Sequence, residues 1–149
     1  MKRWIYSVSG IAFAAALILP LVTVRAAEEA PKDPTVEYRS QVMKSLGAQA
    51  AGLGMIMQKK VSYDANLALH AEMISLGARE ALKAFEAKVP GGSAKPELWD
   101  NWKDFSDRLK ALDTAASELA KAAKAGPVEP PKVLAALTCK GCHDLYKTK

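Results

Sequence analysis

The sequence has few side chains that bind metals or carry redox chemistry: it contains two cysteines and two histidines in 149 residues. Both cysteines, Cys139 and Cys142, lie in the C-terminal stretch "TCKGCHDLYKTK", and His143 follows the second directly. A structural zinc site needs four ligands, usually sulfur or imidazole. This stretch offers three at most, and adjacent residues on one helix cannot all face one tetrahedral ion. We therefore expect no structural zinc site.

The chain also lacks a cluster of lysines and arginines. Its formal net charge is +5, but Lys2, Arg3 and Arg25 belong to the first 26 residues. From residue 27 onward, 18 basic residues face 16 acidic ones, so the net charge there is only +2. Lys59 and Lys60 are a pair rather than a patch. We expect no nucleic-acid groove.

Long apolar runs are absent except at the N-terminus. After a basic start, 21 uncharged residues extend from Trp4 to Val24, and a small-residue cleavage pattern ends at Ala26. This pattern predicts a secretory signal peptide over residues 1–26 and a mature domain over 27–149. The alternative is an uncleaved anchor, since about 20 apolar residues can span a bilayer. The acidic, small-residue stretch "AAEEAPKDP" that follows favours cleavage.

No segment alternates apolar and polar residues over the length of a strand. Apolar side chains recur instead at helical spacing in four segments, joined by the breakers "KVPGGSAKPE" and "KAGPVEPPK". Asp33 and Pro34 resemble an N-cap and a first helical residue. These features predict an all-α fold, an antiparallel up-down-up-down four-helix bundle. The four stripes are Arg39, Met43, Leu46, Ala50, Leu53 and Met57; Leu67, Ala71, Ile74, Ala78, Ala81 and Phe85; Leu98, Trp102, Phe105, Leu109, Leu112, Ala116, Leu119 and Ala123; and Val133, Ala136, Cys139, His143 and Tyr146.

Two chemistries besides zinc compete for the C-terminal motif. A thioredoxin-like dithiol needs a strand before the two cysteines and a helix that opens after them, to lower a thiol pKa. The motif lies instead late in an all-helical chain. Covalent haem attachment uses every residue: Cys139 and Cys142 form thioethers with the vinyl groups, and His143 ligates the iron. We therefore predict one covalently attached haem c.

In an up-down bundle, the end of the last helix lies beside the start of the first, the end of the second and the start of the third. Met43 is on the inward stripe at that end of the bundle. Met55 and Met57 lie roughly 18 Å further along the helix, and His70 is at the opposite end of the bundle. The expected haem neighbours are Arg39, Met43, Leu46, Phe85, Trp99, Trp102 and Phe105.

Two of these neighbours have competing interpretations. Met43 is either the second iron ligand, which is the leading interpretation, or a core methionine that packs beside the porphyrin. Arg39, one turn earlier, either binds a haem propionate or is a solvated arginine at a helix start.

The mature chain resembles class II c-type cytochromes, the cytochrome c prime family with its low-spin methionine-ligated relatives. The segments that carry the resemblance are "YRSQVMKSLG", "GGSAKPELWDNWKDF", "LAKAAKAG" and "CKGCHDLYK". It implies a periplasmic four-helix bundle, often dimeric, with haem on Cys139, Cys142 and His143. In the low-spin branch Met43 matches the methionine ligand. In cytochromes c prime the same position packs over a five-coordinate iron.

The leading functional hypothesis is periplasmic one-electron transfer with redox partner proteins, through a haem ligated by His143 and Met43. No acid–base pair is placed near the haem end, so we expect no enzyme. The alternative is a five-coordinate protein that binds NO or CO. A homodimer is an expectation from the resemblance, and membrane association is expected only if the N-terminal segment is retained.

Overall fold

The computed structural model describes residues 33–129, 133, 137 and 139–148, so the predicted signal peptide lies outside the described residues. A 3₁₀ turn, Asp64–Asn66, precedes the second helix. No helix in the described part is long and apolar enough to cross a membrane, and the same residues contain no β-strand. The helices are α1 Pro34–Met57, α2 Leu67–Glu86, α3 Glu97–Asp100, α4 Trp102–Ala125 and α5 Cys139–Tyr146.

Helix α1 begins where the sequence predicts. The Asp33 side chain accepts a hydrogen bond from the backbone N–H of Thr35 at 2.8 Å, and Pro34 occupies the first helical turn. This bond satisfies one of the N–H groups that a helix start leaves without a partner. Proline costs nothing there, because its missing N–H would have had no partner within the helix.

Helix α2 is the central element of the fold, since both α1 and α4 pack against it. The apolar stripe predicted for α2 is buried at every position. Ala71, Ala78 and Ala81 have essentially no exposed surface, so the neighbouring helices approach closely along this line of small residues. The predicted all-α four-helix bundle is confirmed, with α1, α2, α4 and the C-terminal segment as its helices.

Two of the predicted helices are interrupted, and here the prediction of continuous helices was wrong. The third is divided at Asn101, whose backbone (φ −108°, ψ 38°) separates α3 from α4. The fourth is divided near Leu137, which is not helical, although Val133 before it is. The interruption lets Val133 and Leu137 pack at one end of the bundle while α5 packs at the other.

The core consists of two clusters. The first cluster lies toward the end of α1 and the start of α2, and the second cluster lies toward the start of α1 and includes α5. Buried members of the first are Leu53, Ile56, Met57, Leu67, Ala71, Ile74, Ala116, Leu119, Ala120 and Val133. Buried members of the second are Val42, Ala81, Ala84, Phe85, Leu98, Phe105, Leu109 and Tyr146, with Met43, Leu46, Trp99, Trp102 and Cys142 among its partly buried neighbours.

Candidate haem-attachment site

The C-terminal motif forms the first turns of α5. Cys139 and Cys142 are not joined by a disulfide; Cys139 is exposed, and Cys142 is half-buried against the second cluster. His143 is exposed on the neighbouring position of the same turn. Three residues of helix therefore present two thiols and an imidazole beside one end of the apolar core.

Aromatic rings form the part of the second cluster nearest to α5. Phe105 is at their centre: its ring centroid lies 5.2 Å from that of Phe85 and 5.8 Å from that of Trp102. Tyr146, one turn after Cys142, meets Phe105 edge to face at 5.5 Å. Tilted and edge-to-face pairs of this kind add to the stability gained by burying the rings. They fix α5 against the start of α4.

The structure brings the predicted neighbours of the motif into this same region. Met43 is half-buried and packs against the second cluster, as do Trp99 and Trp102. The Trp99 indole N–H donates to the backbone oxygen of Phe85 at 3.0 Å, which satisfies its one polar group. Their roles as iron ligand or haem contacts stay predictions, since the contacts show placement only.

Arg39 is buried, with 3 % of its surface exposed, and it has backbone and aromatic partners within the protein. Its Nη1 donates to the backbone oxygen of Val89 and its Nη2 to that of Gly91, each at 2.5 Å. The guanidinium also lies over the rings of Phe85 and Trp99, at 5.3 and 5.1 Å from their centroids. These contacts stabilise the buried guanidinium, so the solvated alternative is wrong; a contact with a haem propionate stays a prediction.

The protonation chemistry of the motif disfavours a redox dithiol. Burial raises the pKa of the Cys142 thiol, and the nearby Arg108 charge opposes this only in part. A redox-active cysteine pair needs the opposite shift, because the thiolate is the nucleophile. Desolvation, followed by the charge of Lys147, lowers the pKa of His143. The lower pKa favours the neutral imidazole, which is the form that ligates a metal.

The residues present fit a covalently held haem better than a bare metal ion. Among the described residues, no group of three or more His, Cys, Asp or Glu side chains is arranged to hold a metal ion. The two thiols and the adjacent imidazole are instead the donor set of c-type haem attachment. Other donors lie elsewhere: His70 bonds Gln49, and Met57 packs in the first cluster.

Three residues near the motif, Asp104, Arg108 and Lys95, were not predicted from the sequence. The Tyr146 hydroxyl donates to Asp104 Oδ2 at 2.6 Å, and Arg108 Nε binds the same oxygen at 2.6 Å. Lys95, in the connection between α2 and α3, reaches the C-terminal end of α5. The spacing of Asp104 and Arg108 by four residues on one helix indicates their ion pair, but the sequence carries no signal for the contact with Tyr146.

A helical bundle with CxxCH on its last helix, packed against an aromatic cluster, defines the class of four-helix c-type cytochromes. A family model described as "Cytochrome C'" matches residues 34–147. Cytochrome c' of Pararhodospirillum photometricum is 38 % identical over 120 residues, which cover 75 % of this chain and 94 % of the relative. Cytochrome c-556 of Agrobacterium tumefaciens (strain II Chrys) is 30 % identical over 122 residues, covering 76 % and 97 % of the two chains.

Solved structures of cytochrome c prime have the same fold as this chain. A ferrous variant of cytochrome c prime from Alcaligenes xylosoxidans, with bound NO, superposes with a TM-score of 0.66 at 26 % identity, covering 77 % of this chain and 94 % of that one. The chain belongs to the cytochrome c' family. It is accordingly a monohaem carrier, with one haem c attached covalently.

Proposed function

We propose that this protein is a cytochrome c' with a five-coordinate iron, which binds NO or CO at the axial position opposite His143. This replaces the leading hypothesis from the sequence, in which Met43 fills that position. The observation that supports the replacement is the similarity to cytochromes c', including a structure from Alcaligenes xylosoxidans that holds NO. In this proposal Met43 packs over the open face and does not ligate.

Each residue of the site has a distinct role in this function. Cys139 and Cys142 would hold the porphyrin through thioethers, and His143 would be the single axial ligand from the protein. A haem with one free axial position supplies reversible binding of small diatomic gases and one-electron chemistry. Half-buried Met43 and Trp102 lie at the same end of the core and would limit the entry of water and anions.

The apolar character of the second cluster supports selection of NO and CO over polar ligands. Its buried members are aliphatic and aromatic, with one polar atom, the Tyr146 hydroxyl, already bonded to Asp104. The Arg39 guanidinium, which lies over the rings of Phe85 and Trp99, already donates to two backbone oxygens. An anion that entered this region would therefore lose more hydration than it regains, whereas a neutral diatomic gas would lose little. We infer that these side chains favour neutral ligands.

We also propose a localisation and partners for this protein. Export to the periplasm rests on the predicted signal peptide, and periplasmic redox proteins would reduce or oxidise the haem. Assembly as a homodimer is a further proposal, since the resemblance implies that members of this class are often dimeric.

The experiment that tests the coordination is a comparison of three holoproteins without added gas: wild type, Met43→Leu and Met57→Leu. Both substitutions conserve side-chain volume, so each should cost less than about 1.5 kcal/mol of stability. Met57 is the matched control, because it is buried in the first cluster, away from the motif. We expect the same high-spin ferrous absorption spectrum for all three proteins.

A low-spin wild type that becomes high-spin only in Met43→Leu would show that Met43 is the second ligand. The protein would then be a six-coordinate electron carrier, and the proposal would be wrong.

A further inference from the structure

The C-terminal end of the haem-attachment helix α5 is held by a distant part of the chain. The last carbonyl groups of a helix have no partner within it. In α5 the backbone oxygens of Asp144 and Leu145 accept from Lys95 Nζ at 3.4 and 3.2 Å, and that of Tyr146 accepts from the Lys95 backbone N–H at 2.9 Å. One residue, 48 positions before His143, thus supplies partners for three of these carbonyls.

The position of the Lys95 ammonium is also favourable electrostatically. Unpaired carbonyl groups give a helix C-terminus a partial negative charge, and a cation there is stabilising. The remaining carbonyl of the last turn belongs to His143 itself, and it accepts from the N–H of Lys147 at 3.1 Å. Lys95 and the chain after α5 therefore satisfy all four terminal carbonyls, starting from that of the histidine.

A short ladder of backbone contacts accompanies this cap. Ala94 forms a bridge with Lys147, and the N–H of Thr148 donates to the Ser93 oxygen at 2.8 Å. Residues 93–95 of the connection between α2 and α3 are therefore paired with Tyr146, the last residue of α5, and with the two residues that follow it.

The same connection is anchored to α1. Arg39 binds the backbone oxygens of Val89 and Gly91. Gly91 and Gly92 have positive φ values, 127° and 62°, and Val36 packs so close that a Cβ on Gly92 would lie 3.1 Å from it. Helix α1, which carries Met43, is thus linked to α5 through residues 89–95.

We propose that Lys95 is a positioning residue for the haem-attachment helix. Its ammonium caps the end of α5 and thereby fixes the orientation of the turn that carries His143, while Arg39 holds the connection that presents it. This role does not depend on whether Met43 binds the iron, so its failure and the failure of the proposed function are separate outcomes.

The test uses the holoprotein and three variants. Lys95→Met removes the ammonium but keeps an unbranched stem and the backbone N–H. Lys95→Arg restores a cationic donor. Lys88→Met is the matched control, because Lys88 is an exposed lysine of the same connection that makes no hydrogen bond or ion pair within the described residues.

The first measurement is amide hydrogen exchange of Lys147 and Thr148, whose N–H groups donate to His143 and Ser93. Loss of charge-assisted hydrogen bonds should speed their exchange about tenfold in Lys95→Met. Exchange in the middle of α4 should not change. Lys88→Met should match the wild type, and Lys95→Arg should recover most of the protection.

The second measurement is the electron paramagnetic resonance spectrum of the ferric holoprotein, whose line widths report the spread of axial geometries at the iron. We expect broader lines in Lys95→Met and widths close to wild type in the other two variants. Unchanged exchange and line widths in Lys95→Met would overturn the proposal. An equal acceleration of all amides, or no recovery with arginine, would also overturn it, because the effect would then be one of global stability rather than of capping.

Discussion

Truncation of Leu98 tests whether α3 belongs to the same core as the haem-attachment helix. Leu98 is 1 % exposed, is among the largest fully buried side chains of the described residues, and belongs to the second cluster. Leu98→Ala removes the equivalent of about three methylenes, worth roughly 0.8 kcal/mol each, and leaves a cavity that adds to the loss. We expect a destabilisation of about 3 kcal/mol. For a domain of about 115 residues this corresponds to a fall of roughly 12 °C in Tm.

The assay is thermal unfolding of the holoprotein, followed by circular dichroism and by haem absorbance. Leu69→Ala is the matched control, since Leu69 is a leucine of α2 that is 51 % exposed, and its truncation should change stability by less than about 0.5 kcal/mol. Leu53→Ala, in the first cluster, should destabilise the fold as much as Leu98→Ala. Because Leu53 lies away from the motif, it should leave the rate of CO binding unchanged, whereas Leu98→Ala should alter it.

A fall of less than about 4 °C for Leu98→Ala would refute the placement of α3 in the core, since it would correspond to about 1 kcal/mol or less. Equal effects of Leu98→Ala and Leu53→Ala on CO binding would refute the division of the core into two clusters with the haem site at one of them.

Two further predictions follow from the contacts. Hydrogen bonds from Arg108 and then Tyr146 lower the pKa of Asp104, so the contribution of this carboxylate to stability is present above pH 3.8 and is lost as the pH falls through the folded-state pKa. Asp104→Asn should therefore be less stable than wild type at pH 7, and acid titrations of unfolding should show the difference shrinking below pH 4. A stability difference that stays constant with pH would contradict this. Gly47→Ala should raise stability by about 0.5–1 kcal/mol, because a Cβ at this helical position meets nothing within 4 Å. Gly77→Ala should not, since its Cβ would lie 2.8 Å from a leucine methyl of α1; equal Tm shifts for the two alanine variants would argue against the close approach of α1 and α2.

Local patterns in the sequence were sufficient to predict most of the helices of the fold. The N-cap at Asp33 and the stripe of α2 each depend on residues within a few turns of one another, so spacing alone predicts them. The motif on α5 is equally local. Its position beside Met43 and Trp102 follows from bundle topology, which determines which helix ends are neighbours.

The contacts that could not be predicted depend on the backbone of a connection. Arg39 binds carbonyl groups 50 and 52 positions away, and Lys95 binds carbonyl groups of α5 at 49 and 50 positions. Every residue has a backbone oxygen, so the sequence carries no sign of which ones will be acceptors. The break at Asn101 was missed because the predicted apolar stripe continues across it, from Leu98 to Trp102.

The most direct test of the account is a CO titration of the ferrous holoprotein, followed by visible absorption. A broad high-spin spectrum that shifts with CO to a saturating, stoichiometric change is the predicted result. It would place one protein ligand, His143, on the iron and leave the opposite side free. Sharp, split α and β bands that CO does not move would contradict the account and establish a six-coordinate iron.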